Sequence, residues 1–343
     1  MAEQKLVGQN YTVPDLVAKV TGKSKYAEDF RAEGMIFAKL LLSPLPHARV
    51  TRLDLSAALA MPGVKAILTA DDLPKPADSI NDNGQVIFAN LDGEVALTNE
   101  PVYQGQPILA VAAVDEVTAA DAIEKIKIEF EPLPFTVDPL VSLRPGGPNA
   151  RTKGNYWFIP PPAPPAPAAA GQAQNPPRPE IREAKWTPAE LADADAGRLP
   201  MMADAPEKWA YGDLEAGFKD AALVLDETFV TNDTSHQTME TRTAMAYWQN
   251  GKVHVYTGTQ STAQTVIGVA RWVGVPPENV VVVSEYTGGG FGSKGSSSVF
   301  TAVAALLSKK ANAPVMMRIT REDEHLIGRA RPALHSRVKI GFR

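Results

Sequence analysis

The sequence contains no cysteine among its 343 residues. Without thiolates, the chain forms no disulfide and offers no ligand set for a cysteine-bound zinc ion or iron–sulfur cluster. If electrons must leave a reaction site through iron–sulfur clusters, another polypeptide has to carry them. No run of 18 consecutive apolar residues occurs, and residues 1–16 lack the apolar core of a signal peptide. These absences predict a chain without a membrane span.

An excess of basic charge is also absent. The chain has 34 Lys and Arg against 39 Asp and Glu, for a formal net charge of −5. A chain of this balance is a poor partner for nucleic acid. Its length and its 44% content of apolar residues are sufficient for a large core and for roughly two domains.

The most informative stretch is the glycine-rich segment 285–295. An apolar run at 280–284 predicts a buried strand before it, and apolar residues at helical spacing predict a helix over 296–308 after it. Glycine permits positive φ and lets a ligand approach the main chain closely. A helix start also attracts anions. The stretch therefore predicts a site for a phosphate-bearing cofactor.

The residues of this stretch leave three interpretations open. Residues 290–295 fit the dinucleotide pattern G-x-G-x-x-G, but the acidic residue expected about 20 positions later is missing. A Walker A loop is excluded because Ser293 precedes Lys294 where that motif requires glycine. The third interpretation is a turn without any ligand.

Periodicity predicts two α+β parts joined by a linker. In the first part, residues 1–143, strands are predicted at 35–42, 64–68, 107–114 and 126–130, with helices at 55–61 and 116–125. In the last part, residues 183–343, strands are predicted at 222–231, 244–249, 252–257, 280–284, 315–320 and 336–342, with helices at 261–273 and 296–308. Ser261 or Thr262 is the expected cap of the helix at 261–273, and Asn250-Gly251 predicts a hairpin turn.

Residues 144–182 form the predicted linker, which is rich in proline and alanine. Because proline lacks the N–H group and favours polyproline II, residues 160–172 cannot form a helix or a strand ladder. Two roles stay open for this insert, a strap that docks on a partner subunit and a solvent-exposed tether.

Several segments, in chain order, resemble motifs of the molybdenum hydroxylases, the xanthine dehydrogenase and aldehyde oxidase family. Residues 288–294 resemble the cofactor loop of that family. The other segments are 21–26 and 44–48, which resemble its α/β hammerhead domain, 236–241 (H-x-x-(L/M)-E-(P/T)), 257–261 (the STQ strand end), and 321–324 with 331–332 (R-x-(D/E)-(D/E)…R-(H/P)). Several matches in order are more specific than any single motif.

The resemblance implies an α+β chain in two parts. Residues 1–143 would be the small α/β hammerhead domain. Residues 183–343 would be the first half of an aldehyde oxidase/xanthine dehydrogenase-type molybdenum cofactor-binding domain, which is incomplete without a partner chain. Relatives are usually shorter where the insert at 144–182 lies.

The resemblance also implies the site residues. The expected cofactor-binding residues are Gly289, Gly290, Phe291, Gly292 and Ser293. Gln237, Glu240 and Gln260 are candidates for contact with substrate or cofactor. No catalytic residue and no direct metal ligand are expected in this chain, because the glutamate base of the family lies in a later segment.

Two neighbouring positions carry further expectations. Lys294 either neutralises nearby negative charge or is exposed, and its replacement by alanine is expected to cost only about 1 kcal/mol. Purine-oxidising relatives carry a substrate-holding glutamate where this chain has Gly295, which argues against xanthine as the substrate.

The function implied is that of a component of a molybdenum-dependent hydroxylase or dehydrogenase. It would oxidise an aldehyde or N-heteroaromatic small molecule with water as the oxygen source. The cofactor would be molybdenum-molybdopterin as the cytosine dinucleotide, shared with a second molybdenum-binding polypeptide. Electrons would pass to 2Fe–2S clusters on an iron–sulfur subunit, and the resemblance allows an FAD subunit as well. The alternatives are a non-catalytic assembly subunit and a nucleotide-binding module. The expected location is the cytoplasm, or the periplasm by co-export with a partner.

Overall fold

The structure is a computed structural model that describes residues 7–75, 79–80, 86–87, 95–149, 152, 154–159, 180–200 and 209–343. The helices are α1 Leu16–Val20, α2 Ser56–Leu59, α3 Glu116–Glu124, α4 Pro139–Ser142, α5 Pro188–Asp195, α6 Leu214–Lys219, α7 Thr262–Val273, α8 Val299–Ala311 and α9 Arg321–Ile327. The strands are β1 Ile36–Leu42, β2 Ala48–Asp54, β3 Val64–Thr69, β4 Ser79–Ile80, β5 Val86–Ile87, β6 Pro107–Ala113, β7 Lys127–Pro132, β8 Tyr156–Ile159, β9 Glu180–Glu183, β10 Leu223–Thr231, β11 Thr234–Ser235, β12 Thr243–Gln249, β13 Lys252–Thr257, β14 Val280–Val283, β15 Val315–Arg318, β16 Ala330–Arg331 and β17 Leu334–Phe342.

One sheet draws its strands from both predicted parts of the chain. Its order is β14-β13-β12-β15-β1-β6-β3. The two parts meet where β1 pairs with β15 in parallel, with Ile36 opposite Val315 and Ala38 opposite Met317. The α+β class is confirmed, and a shared sheet, in addition to a linker, joins the early and late segments. The limits of the two parts stay a prediction.

Strand β6, an interior strand of the seven-stranded sheet, is apolar throughout because of its position. Every residue of β6 is buried. Leu109 and Val111 belong to the apolar cluster of α2 and α3, whereas Ala110 and Ala112 belong to the larger cluster built around α8. A strand covered on both faces by helices is a continuous apolar run rather than an alternating one.

The helices that flank the glycine-rich loop are set by their caps. Helix α7 confirms the prediction: Ser261 accepts a hydrogen bond from the Gln264 N–H at 3.3 Å, and the helix ends at Gly274 with φ 73°. Helix α8 begins at Val299, three residues after the predicted start. Ser298 and Thr301 form a capping box that sets this start.

Two segments were predicted wrongly. Strand β2 was missed because it lies in a two-stranded sheet with β7 and carries exposed polar residues instead of an apolar run. Strand β8 and all of β9 except its last residue lie within the predicted linker, where no strand was expected, and the two strands pair with each other. The proline-rich residues 160–179 of that linker lie outside the described residues.

A separate antiparallel ribbon is formed by β10 and β17. Its register runs from Leu223 opposite Phe342 to Thr231 opposite Leu334. All nine residues of β10 are exposed. The ribbon is thus the least buried long element among the described residues.

Candidate cofactor-binding site

The glycine-rich loop connects β14 to α8 and presents its tip to solvent. Phe291 is 63% exposed, and the backbone reaches φ 99° at Gly289, 51° at Phe291 and 98° at Gly292. Phenylalanine rarely adopts positive φ, so its presence here marks a backbone held in place by its surroundings. Ser293, two residues further on, is buried.

Lys294 holds the loop from below through a buried ion pair. Its Nζ donates to the Glu240 carboxylate at 2.8 Å and to the main-chain oxygen of Glu240, also at 2.8 Å. Lys294 is only 3% exposed. Burial lowers the pKa of the Lys294 amine, and the hydrogen bond to Glu240 opposes that shift. Of the two expectations for Lys294, the structure shows the first: its amine neutralises the Glu240 carboxylate and is not exposed.

Glu240 also binds main-chain groups of two distant segments. Its Oε2 accepts the Gly288 N–H at 2.9 Å, and its Oε1 accepts the Ala27 N–H at 3.4 Å. A β-carbon added to Gly288 would lie 2.4 Å from Glu240 Cβ, so only glycine fits this close approach. Of the predicted contact residues, Glu240 lies under the loop and positions it.

Gln260 supports the loop closer to its tip. Its Oε1 accepts the N–H of Gly292 at 2.9 Å and that of Lys294 at 3.3 Å. Its own N–H donates to the Lys294 main-chain oxygen at 2.8 Å. Gly290 approaches so closely that an added β-carbon would lie 2.3 Å from Gln260 Oε1. The side chain thus fixes the backbone on which Phe291 is presented.

A second buried ion pair, which the sequence did not reveal as part of the site, joins Arg242 to Glu324. Both side chains are almost fully buried. Arg242 donates through Nη2 to the Ser293 main-chain oxygen at 2.8 Å, and its N–H donates to Glu324 at 2.8 Å. The available sequence signal for this pair was its position next to the family motifs. Glu324 lies in the motif at 321–324, and Arg242 directly follows the motif at 236–241.

Gln237 belongs to a different group of contacts. Its backbone has φ 51°, its Nε2 donates to Ser235 Oγ at 2.6 Å, and its Oε1 lies 3.0 Å from His325 Nε2. His236 bonds through Nδ1 to the main-chain oxygen of Arg329 at 2.9 Å. The structure thus brings Glu240 and Gln260 together at the loop and places Gln237 beside α9 and β16.

The separated motifs nevertheless meet in space. Arg321 Nη2 donates to the main-chain oxygens of Thr238 and Met239, at 2.5 Å and 3.0 Å. The segments at 236–241, 257–261, 288–294 and 321–324 therefore form one contiguous network around the loop. Only the tertiary fold could establish this, because up to 83 residues separate the bonded positions.

The loop tip fits a group bound through oxygen atoms. The N–H groups of Gly289, Gly290 and Phe291 donate to no acceptor within the described residues. Consecutive free N–H groups on a strained turn form a concave donor site for anionic oxygens. The described residues contain no cluster of three His, Asp or Glu able to hold a metal ion directly. The free N–H groups therefore make the tip suited to a ligand that presents anionic oxygen atoms.

The start of α8 does not take part in this exposed tip. Ser298 and Val299 are buried, and residues 292–298 separate the helix from Phe291. In the dinucleotide fold the glycine motif opens the helix directly, whereas here residues 296–298 intervene. The start of α8 is thus separated from the loop tip by residues 292–298, and its expected part in an anion site stays a prediction.

Comparison with known families assigns both parts of the chain. A sequence profile described as "Molybdopterin cofactor-binding domain" matches residues 200–343. Another, described as "Aldehyde oxidase and xanthine dehydrogenase, a/b hammerhead domain", matches residues 21–134. The chain belongs to the molybdenum hydroxylase family. The glycine-rich loop therefore lies inside the molybdopterin-binding domain of a family of oxidoreductases.

Individual molybdenum hydroxylases are similar over nearly the whole chain. A probable xanthine dehydrogenase subunit of Bacillus subtilis is 29% identical over 96% of this chain and 37% of its own length. The nicotinate dehydrogenase large molybdopterin subunit of Eubacterium barkeri is 27% identical over 99% of this chain and 67% of its own length. The chain thus spans little more than a third of the first of these relatives.

Solved structures of molybdenum hydroxylases show the same fold. Quinoline 2-oxidoreductase from Pseudomonas putida superposes with a TM-score of 0.73 at 21% identity. The superposition covers 99% of this chain and 38% of that one.

Across the part of the chain that the structure describes, no helix is long and apolar enough to cross a membrane.

Proposed function

We propose that this chain is a component of a molybdenum-dependent hydroxylase that oxidises an aldehyde or an N-heteroaromatic small molecule, with water as the oxygen source. The observation that carries the proposal is the exposed Phe291-Gly292 tip, held on a buried polar network inside the molybdopterin-binding domain. When bound, the cofactor supplies two-electron oxidation of the substrate carbon. The chain contributes the shape and polarity of one side of the site.

The residues of the network have separate roles in this proposal. The free N–H groups of Gly289, Gly290 and Phe291 bind oxygens of the cofactor. Gln260 and the Lys294–Glu240 pair fix the backbone, so that these donors need no rearrangement when the cofactor arrives. Phe291 offers an apolar surface to the reacting end of the cofactor and to a planar substrate.

The base for the reaction lies elsewhere in this proposal. Glu240 and Glu324 contact the loop network, but each is paired with a buried cation. A carboxylate held in this way is poorly placed to take a proton from the reaction centre. We therefore assign the base to the remaining molybdenum-binding region, on a partner polypeptide or on a further part of the subunit.

The substrate class follows from one departure and one relative. Gly295 leaves no side chain where purine-oxidising relatives carry an anchoring glutamate, which disfavours xanthine. The Eubacterium barkeri relative is named for nicotinate, an N-heteroaromatic acid. The cofactor is proposed in its cytosine dinucleotide form, with electrons leaving through 2Fe–2S clusters on another subunit. An additional FAD subunit is compatible with this proposal but is not required by it.

Replacement of Gly292 tests the assignment in the purified native assembly. Gly292→Val places a β-branched residue at φ 98°, where it is strained. Its added β-carbon would meet only His236 Nε2, at 3.8 Å, so the core stays intact. Molybdenum per subunit, or turnover of aldehydes and N-heteroaromatics, should fall about tenfold or more. A second variant, Phe291→Ala, removes an exposed side chain and should lower turnover.

The matched controls lie in the same chain. Gly217→Ala, in α6 and outside the loop, adds a β-carbon that meets no atom within 4 Å. Phe135→Ala removes another exposed phenylalanine, outside the loop. Both should retain molybdenum and turnover. Full metal content and full turnover in Gly292→Val and Phe291→Ala would leave the loop a simple turn and remove the basis of the proposal.

A further inference from the structure

An arginine beside the glycine-rich loop carries a positive charge that no carboxylate balances within the described chain. Arg329 is exposed, and its Nη2 donates to the Ser296 hydroxyl at 2.8 Å. Among the described residues, its guanidinium forms no ion pair with a carboxylate. Because a serine hydroxyl is neutral, it orients the guanidinium without cancelling its charge. The remaining N–H donors of Arg329 are available to a ligand.

The other basic side chains of the loop network already have strong acceptors. Lys294 and Arg242 are each paired with a buried glutamate. Arg321 donates to two main-chain oxygens of the motif at 236–241. Within the described residues, Arg329 has neither a carboxylate nor a main-chain acceptor for its guanidinium. Its charge is therefore the one in this network that a bound anion can use most directly.

The main chain of Arg329 is fixed next to the loop tip. His236 bonds through Nδ1 to the main-chain oxygen of Arg329 at 2.9 Å. The other ring nitrogen of His236, Nε2, lies 3.8 Å from the position that a β-carbon on Gly292 would take. The next residue, Ala330, pairs with Ser235 between β16 and β11. The imidazole therefore spans the distance between the Arg329 main chain and Gly292, and Arg329 starts from a held backbone.

The loop also leaves space beside this cation. Gly295 directly precedes Ser296, which holds the guanidinium. A β-carbon on Gly295 would meet no atom closer than the Gly292 main-chain oxygen, at 3.8 Å. A ligand bound at the loop can therefore place an anionic group next to Arg329. The planar guanidinium matches a carboxylate through two parallel N–H donors.

We propose that Arg329 sets the charge preference of the site and selects an aldehyde or N-heteroaromatic substrate that carries a carboxylate group. The inference deepens the proposed function and rests on it for the reaction. In this arrangement the substrate carboxylate binds the Arg329 guanidinium, and the rest of the molecule lies at the Phe291-Gly292 tip. A phosphate group of the cofactor offers similar anionic oxygens, and the experiment separates these two ligands.

Steady-state kinetics of the purified native assembly test the charge preference. Two substrate pairs differ in the carboxylate: 4-formylbenzoate against benzaldehyde, and pyridine-3-carboxylate against pyridine. Arg329→Gln should raise KM for the carboxylated member of a pair about tenfold or more, because a charge-assisted hydrogen bond is lost. The kcat for that member, and both constants for the uncharged member, should stay close to those of the wild type.

Two further variants serve as matched controls. Arg329→Lys keeps the positive charge and should retain part of the preference for the carboxylated substrates, although lysine lacks the planar pair of donors. Arg52→Gln removes another exposed arginine, which pairs with Glu129 on the β2–β7 sheet. It should leave KM for all four compounds unchanged.

A measurement on the wild-type assembly needs neither a variant nor turnover. Phenylglyoxal modifies accessible arginine side chains, and mass spectrometry reports the extent of modification at each one. Benzoate, which has the carboxylate but no oxidisable aldehyde, should slow the modification of Arg329 about tenfold or more when its concentration is well above its Kd. Modification of Arg52 should not change. If Arg329→Gln does not fold, this protection decides.

Three outcomes would overturn the inference. The first is an equal rise of KM for charged and uncharged substrates in Arg329→Gln, and the second is modification of Arg329 that benzoate does not slow. The third is loss of molybdenum from Arg329→Gln, which would assign the guanidinium to a cofactor phosphate. An assembly that turns over none of the four compounds, but in which benzoate protects Arg329, would uphold the carboxylate site and reject the proposed chemistry.

Discussion

The glycine-rich loop and the β10–β17 ribbon lie in the same molybdopterin-binding segment, yet they are stabilised in opposite ways. The loop exposes Phe291 but fixes the main chain beneath it with two buried ion pairs, Lys294–Glu240 and Arg242–Glu324. The ribbon has a regular hydrogen-bonded register over nine pairs, but its apolar side chains face solvent. The irregular backbone of the loop is thus fixed by buried polar contacts. The regular ribbon, by contrast, packs the apolar side chains of one face against no core within the described residues.

The two regions differ in whether their contacts are satisfied within the described chain. Every contact that shapes the loop comes from within the described chain, including residues 213 positions apart at Ala27 and Glu240. The ribbon lacks an equivalent partner for its apolar face in the same described residues. The loop is thus shaped by contacts within the described chain, whereas the large apolar side chains of the ribbon lie exposed among the same described residues.

The largest expected effect is at the buried ion pair of the loop. Lys294→Ala leaves the Glu240 carboxylate buried without its cation, and breaking such a pair costs about 3–5 kcal/mol. Arg318→Ala is the control, since Arg318 is exposed and pairs with Glu28 and Glu116 at the surface, where about 1 kcal/mol or less is expected. The free energy of unfolding from chemical denaturation distinguishes them. Equal losses of unfolding free energy in the two variants would mean that the buried Lys294–Glu240 pair stabilises the protein no more than the surface pairs of Arg318.

A smaller effect is expected from the close approach at Gly288. The β-carbon of Gly288→Ala would lie 2.4 Å from Glu240 Cβ, so the loop must shift, at a cost of about 1–3 kcal/mol. Gly295→Ala in the same loop should change the free energy of unfolding by less than about 0.5 kcal/mol. A neutral Gly288→Ala variant would show that the loop adapts, and the contrast with the ribbon would weaken.

The smallest effect is expected at the Asp226–Arg337 pair of the ribbon. Hydrogen bonds from Arg337 lower the pKa of the Asp226 carboxyl. The pair therefore stabilises the folded ribbon fully above the ordinary aspartate range, about pH 4, and this contribution is lost as pH falls further.

The pH dependence of the thermal midpoint measures this contribution. At neutral pH the thermal midpoint of the wild type should be slightly higher than that of Asp226→Asn. This difference in midpoint should vanish in acid, where the Asp226 carboxyl is protonated. A difference that does not decline as the pH falls below the ordinary aspartate range would contradict the assignment, because protonation of the folded carboxyl removes the pair with Arg337.

Local signals in the sequence determined much of the secondary structure. The apolar run of β6, the alternation in β13 and the capped periodicity of α7 each encode their element directly, because burial period and cap chemistry are local properties. The motif around Phe291 and its resemblance to the molybdenum hydroxylases likewise predicted a loop within the segment that matches the molybdopterin cofactor-binding domain. Contact between this loop and the cofactor stays a prediction. By contrast, β2 has no apolar signal, because it lies at the exposed edge of a two-stranded sheet.

The tertiary structure alone decided which charges are buried. Nothing local distinguishes Lys294 or Arg242 from a solvated residue, since long charged side chains are usually exposed. Their burial arises because strands and loops distant in sequence bring Glu240 and Glu324 against them. The same holds for the shared sheet, in which β1 and β15 pair across 279 positions between Ile36 and Val315. Sequence determined the elements and the loop chemistry, and long-range packing determined which residues fix the loop in place.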